Sequence, residues 1–178
     1  MTAAVAVLPP VPMTAPATAR ATERDATLLG YLGLLPFAAC VLVVWTSPLV
    51  FSPGFAGGWL HWTMLYAAII LSFMGGARWA LAMLADGRRS APMSGLLAAV
   101  APALLAWLMV IPSNFGPVVF PYSFRLTVLG LGFVALWFED RHGVRAREAP
   151  AWYGRLRTRL TFWVCLSLAF VVLRLLTY

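Results

Sequence analysis

Five apolar runs, residues 28–50, 61–84, 93–111, 122–138 and 160–177, divide this chain, and each is near the length that crosses a bilayer as a helix. About 20 consecutive apolar residues, with a range of about 17–25, span the hydrocarbon core. A soluble protein of 178 residues has no interior large enough to hide five such runs. In lipid, each run must satisfy its own backbone hydrogen bonds, which leaves helices. The fold class that follows is an all-α membrane protein, a bundle of five transmembrane helices.

The charges between the runs orient that bundle. The N-terminal segment carries Arg20 and Arg24, the second connection Arg88 and Arg89, and the fourth Arg141, Arg145, Arg147, Arg155, Arg157 and Arg159. The first and third connections carry no charged residue. Basic connections stay on the cytoplasmic side, which places the N-terminus in the cytoplasm and the C-terminus in the periplasm. The chain is 62% hydrophobic and 11% charged, against about a quarter charged in soluble domains.

Its net charge of +7 comes from 13 arginines and no lysine. These arginines are spread along connections beside apolar runs. Their expected counter-surface is therefore anionic lipid, at about 1 kcal/mol per basic residue near the headgroups, and not nucleic acid. Arg88, Arg89, Arg145, Arg147, Arg155, Arg157 and Arg159 are accordingly read as contacts to anionic headgroups. Lysine codons are AT-rich, so an all-arginine basic set points to a GC-rich bacterial genome. A bacterial cytoplasmic (inner) membrane is the expected location, with the mitochondrial inner membrane as the alternative.

Residues 1–26 are rich in Ala, Pro and Thr, and Pro9, Pro10, Pro12 and Pro16 forbid a continuous helix. They read as a disordered cytoplasmic tail and lack the basic start and unbroken apolar core of a secretory signal. Residues 27–178 form the membrane domain. In the first run Gly30, Gly33 and Pro36 interrupt the pattern, and Pro36 is expected to bend the helix. Leu49–Trp59 reads as an outer turn. For residues 139–159 two readings stand. Trp152, Leu156 and Leu160 recur at helical spacing, as in an amphipathic helix lying on the cytoplasmic face; alternatively the segment is a loop whose arginines only set orientation.

Arg78 is the most telling single residue, because it falls inside the second apolar run, where an unpaired charge is costly. Three readings apply. It belongs to a structural ion-pair cluster with Glu139 and Asp140, whose place at the end of a helix calls for positive compensation; it reaches the headgroups with its long side chain; or it contacts a substrate. Gly75 and Gly76 are read as a helix-packing site, where small residues let two backbones approach. Arg125 and Arg174, near the outer ends of the last two runs, are placed to hold an anion between them.

Other chemistry finds little support. His61 and His142 fall at opposite faces, so they cannot clamp a haem between them, and one histidine cannot make a structural zinc site. Cys40 and Cys165 lie at different depths and read as small packing residues. Ser72, Ser94 and Thr63 have no nearby base. No catalytic, cofactor-binding or metal-binding residue is assigned, and no cofactor is expected.

Leu29-Gly-Tyr-Leu-Gly-Leu-Leu-Pro-Phe37 and Tyr66-Ala-Ala-Ile-Ile-Leu-Ser-Phe-Met-Gly-Gly-Ala-Arg-Trp79 carry a resemblance. Ala106-Trp107, Leu129-Gly-Leu-Gly-Phe133 with the acidic end at Asp140, and Trp152–Leu160 extend it. Over residues 27–178 the chain resembles the small polytopic membrane family typified by transmembrane protein 69, a domain of unknown function. The resemblance implies the architecture and carries over no catalytic residue. The function expected is non-enzymatic: an accessory or assembly subunit packing against a larger respiratory or photosynthetic complex of the inner membrane. The rivals are a small solute or ion transporter and a lipid- or quinone-handling membrane enzyme.

Overall fold

A backbone polar group left unpaired in hydrocarbon costs several kcal/mol, and the described residues of this chain meet that constraint almost entirely with helix. The computed structural model describes residues 16–84, 93–111, 120–145 and 151–177. These form six helices: α1 Pro16–Leu32, α2 Leu35–Thr46, α3 Pro53–Leu84, α4 Met93–Val110, α5 Tyr122–Arg145 and α6 Ala151–Thr177. Three stretches, Arg20–Thr46, Pro53–Ala80 and Trp152–Thr177, are long and apolar enough to cross a membrane, and Gly95–Val110 is a shorter apolar helix. Helix α5 has 24 residues, but Arg125, Glu139, Asp140 and Arg141 lower its hydropathy.

Helices α2 to α6 close a ring. Helix α2 packs on α3 and α6, α4 sits between α3 and α5, α5 lies along α6, and α3 meets α5 across the middle. Phe37, Met64, Leu71, Leu126, Leu129, Phe133 and Val171 fill the centre. Leu42, Trp62, Ile69, Leu104, Trp107 and Leu131 point outward and are exposed. A bundle that is apolar on both its inner and outer surfaces is suited to lipid as its solvent.

Several boundaries differ from those read in the sequence. Helix α1 begins at Pro16, so residues 16–26 are helical and not part of a disordered tail; residues 1–15 lie outside the described residues. The prolines that oppose a helix all stand at or before position 16, and proline is favoured at a helix's first position. The same rule extends α3 back to Pro53, so much of Leu49–Trp59 is helix and not turn. There the Ser52 carbonyl accepts from the Ala56 amide at 3.0 Å and its hydroxyl from the Phe55 amide at 3.3 Å.

The first apolar run is broken and not merely bent, and the break falls at Gly33-Leu34. Pro36 sits in the first turn of α2, where its missing amide costs nothing. The freed Gly33 carbonyl accepts a hydrogen bond from the Tyr66 hydroxyl of α3 at 3.0 Å, the kind of neighbouring-helix repair that tolerates a break in lipid. At the other end of the chain, residues 151–159 continue directly into α6, so they form neither a separate surface helix nor a loop. Helix α5 likewise runs on to Arg145, past its expected end at residue 138.

Candidate functional site

One end of the bundle collects charge. The last third of α3, the last third of α5 and the first turns of α6 come together there, because α3 and α5 run in the same direction and α6 returns against them. Arg78 Nη2 lies 3.5 Å from Glu139 Oε2, and Arg78 Nη1 lies 3.9 Å from Asp140 Oδ1. Arg157 Nε donates to Asp140 Oδ2 at 2.6 Å. Asp140 is 2% exposed and Arg157 7%, whereas Glu139 is half exposed. Two guanidinium groups and two carboxylates thus form a chain across three helices, with Asp140 at its buried centre.

Arg157 is therefore not a headgroup contact: it is buried and turned toward Asp140. Its position follows from a stripe on α6, since Arg157, Thr161, Val164, Leu168 and Val171 are all buried at the spacing of one helix face. That stripe is the signal that distinguishes Arg157 from its neighbours. Arg155 and Arg159 fall off the stripe and are exposed; Arg155 lies 3.8 Å from Glu23 of α1, between two largely solvated side chains. Arg88, Arg89 and Arg147 lie outside the described residues, as does the side chain of Arg145. Beside the cluster, Arg141 stacks over the Trp137 ring, 4.8 Å from its centroid, and the Trp137 indole donates to Thr158 at 2.9 Å.

The two glycines of α3 divide the work expected of both. A Cβ placed on Gly75 would stand 2.6 Å from the Ala99 carbonyl oxygen and 3.5 Å from Pro102 of α4. Gly76 meets nothing within 4 Å and faces outward. Of the two glycines, only Gly75 lies in the close approach of α3 to α4. Gly76 corrects the expectation that the pair acts together, since neighbours in a helix are turned about 100° apart.

The opposite end uses its arginines on helix ends. Arg125 donates from Nε to the Phe120 carbonyl at 2.9 Å and from Nη1 to the Met109 carbonyl, in the last turn of α4, at 3.3 Å. Arg174 donates to the Ser47 carbonyl, just past α2, at 3.0 Å. Each places positive charge at a helix C-terminus, where the dipole favours it. Nearby, the Tyr122 hydroxyl lies 3.4 Å from His61 Nδ1. The described residues hold no group of three or more His, Cys, Asp or Glu suited to a metal ion. Cys40 and Cys165 are unbridged.

Long apolar helices, an exposed apolar exterior and charges matched inside the bundle define an integral membrane protein built of helices. Residues 22–173 match the family described as "Protein of unknown function (DUF3429)", and the chain belongs to that family. It is also 30% identical over 147 residues to transmembrane protein 69 of Xenopus tropicalis, an alignment covering 82% of this chain. The chain spans about half of that relative's length, 52%. No solved structure matches. The family anticipated from Leu29–Phe37 and Tyr66–Trp79 is the one found.

Proposed function

We propose that this protein is a five-span, non-enzymatic subunit of a bacterial cytoplasmic membrane that packs beside a larger respiratory or photosynthetic complex. In this reading the charged end of the bundle faces the cytoplasm, where Arg20, Arg24, Arg141, Arg155 and Arg159 gather. One observation carries it. The buried charges are matched to one another or to helix-end carbonyls within the bundle, so its polar chemistry serves its own cohesion. What the bundle offers outward is apolar, with Trp62 and Phe73 of α3 and Trp107 of α4 standing well exposed.

Association within lipid relies on packing between surfaces of this kind. Basic side chains at the cytoplasmic face add attraction to anionic headgroups. Native purification in mild detergent, followed by mass spectrometry, tests the proposal. Integral membrane subunits in fixed ratio to this chain are the expected result, and a particle containing this chain alone would overturn it. A substrate flux in proteoliposomes that vanishes with Arg78→Ala would replace it with a transporter.

A further inference from the structure

Four helices of this bundle agree on a length, and it is shorter than an ordinary bilayer is thick. On α3 the exposed rings of Trp62 and Trp79 stand 17 residues apart. On α5 the same 17 residues separate exposed Tyr122 from half-exposed Glu139. Arg159 and Thr177 of α6, both exposed, are 18 apart, and the whole of α4 has 18 residues. At the rise of a helix these are bands of about 25–27 Å. The usual hydrocarbon core is about 30 Å thick, and the average tilt of a membrane helix shortens each band by a further 1–2 Å, roughly.

Inside those limits the outer surface is what lipid tails require. Ile69 and Phe73 of α3, Leu97 and Leu104 of α4, Leu131 of α5 and Phe170 of α6 are exposed and apolar. The limits themselves are what tails exclude. Indole and phenol rings settle at the headgroup level, and Trp45, Trp62, Trp107 and Tyr122 collect at the end away from the charge cluster, with Trp79 at the other. Glu139 lies 3.5 Å from Arg78, and its short side chain lacks the reach with which a long arginine snorkels.

Sliding the helices past one another would lengthen the band, but both ends are fastened. At the charged end Arg157 joins α6 to Asp140 of α5 at 2.6 Å. At the opposite end Arg125 of α5 holds the Met109 carbonyl of α4, and Arg174 of α6 holds the Ser47 carbonyl beyond α2. Sliding breaks these bonds and leaves their polar atoms unsatisfied in a dry interior. A bilayer is the softer partner, since each ångström of mismatch costs it little. We infer that this bundle takes a thinned bilayer, with a hydrocarbon core of about 24 Å, and gathers short-chain phospholipids around itself in preference to long ones. The inference rests on the five-span arrangement proposed above.

The test places the full chain in vesicles of dimyristoleoyl, dipalmitoleoyl, dioleoyl or dieicosenoyl phosphatidylcholine and reads its thermal midpoint by circular dichroism. The midpoint is expected to peak in one of the two shorter lipids and to fall by about 5 °C toward the longest. In equal mixtures of dipalmitoleoyl and dieicosenoyl lipid, with one or the other brominated, quenching of tryptophan fluorescence reports which lipid touches the bundle. The shorter lipid is expected to be enriched about twofold at the surface. A midpoint that is flat across the series, or highest in dioleoyl or dieicosenoyl lipid, overturns the inference, and so does equal quenching by the two lipids. Labelling of Ser52→Cys and Arg155→Cys in whole cells, in a chain with Cys40 and Cys165 replaced by alanine, reads the span arrangement separately. Reaction from the same side overturns that arrangement and the inference with it, whereas opposite sides with a flat midpoint strike the thickness alone.

Discussion

Asp140 shows most clearly how a single side chain organises this protein. It is buried at the meeting of three helices, 2.6 Å from Arg157 and 3.9 Å from Arg78. Removing one partner of such a pair leaves a buried charge uncompensated, at a cost of about 3–5 kcal/mol. Asp140→Ala is expected to lower stability by about 3 kcal/mol in detergent unfolding titrations, and the exchange Asp140→Arg with Arg157→Asp to recover part of the loss. Glu139→Ala, at a half-exposed position, should cost below about 1 kcal/mol. Equal losses at the two acidic positions would show that burial does not set the strength of this cluster. An arginine inside an apolar run has to find a carboxylate, and the chain has only six acidic residues, so the surroundings of Arg78 can be reasoned from residues alone. Arg157 escaped because it stands between Arg155 and Arg159 in what reads as a basic connection. Only its register with Thr161, Val164 and Leu168 shows that it turns inward.

At the scale of the element, α3 is the organising helix. At 32 residues it extends about 48 Å, longer than the hydrocarbon core of about 30 Å. It contributes Arg78 to the charged end, Tyr66 to the break in the first run and Gly75 to the contact with α4. Gly75→Val is expected to push α3 from α4 and lower the unfolding midpoint by the equivalent of about 1–3 kcal/mol of overpacking, while Gly76→Ala leaves it unchanged. A matching loss at Gly76 would mean that its outward face is packed in the native membrane. The apolar cores of these helices were legible because lipid demands long uninterrupted runs. Their ends were not, because Pro16, Pro53 and Pro36 look like breakers but stand in first turns, where a helix tolerates them.

For the whole molecule, the proposed orientation makes opposite claims about the two ends. With Cys40 and Cys165 replaced by alanine, single cysteines introduced by Ser52→Cys and Phe120→Cys should react with an impermeant maleimide in intact cells. Arg24→Cys and Arg155→Cys should react only after the membrane is opened. The reverse pattern would invert the bundle, and reaction at all four positions would break the five-span arrangement. The expected orientation rests on the order of arginines along the chain and not on contacts.

The cross-helix charge chain also dictates how this protein is made. A ribosome delivers Arg78 to the membrane with α3, long before either of its carboxylates has been synthesised. Asp140 then arrives 17 residues ahead of Arg157. Until its counterpart is made, each of these charges is costly inside hydrocarbon. Helix α6, synthesised after α3 and α5, supplies the Arg157 that completes the charge chain.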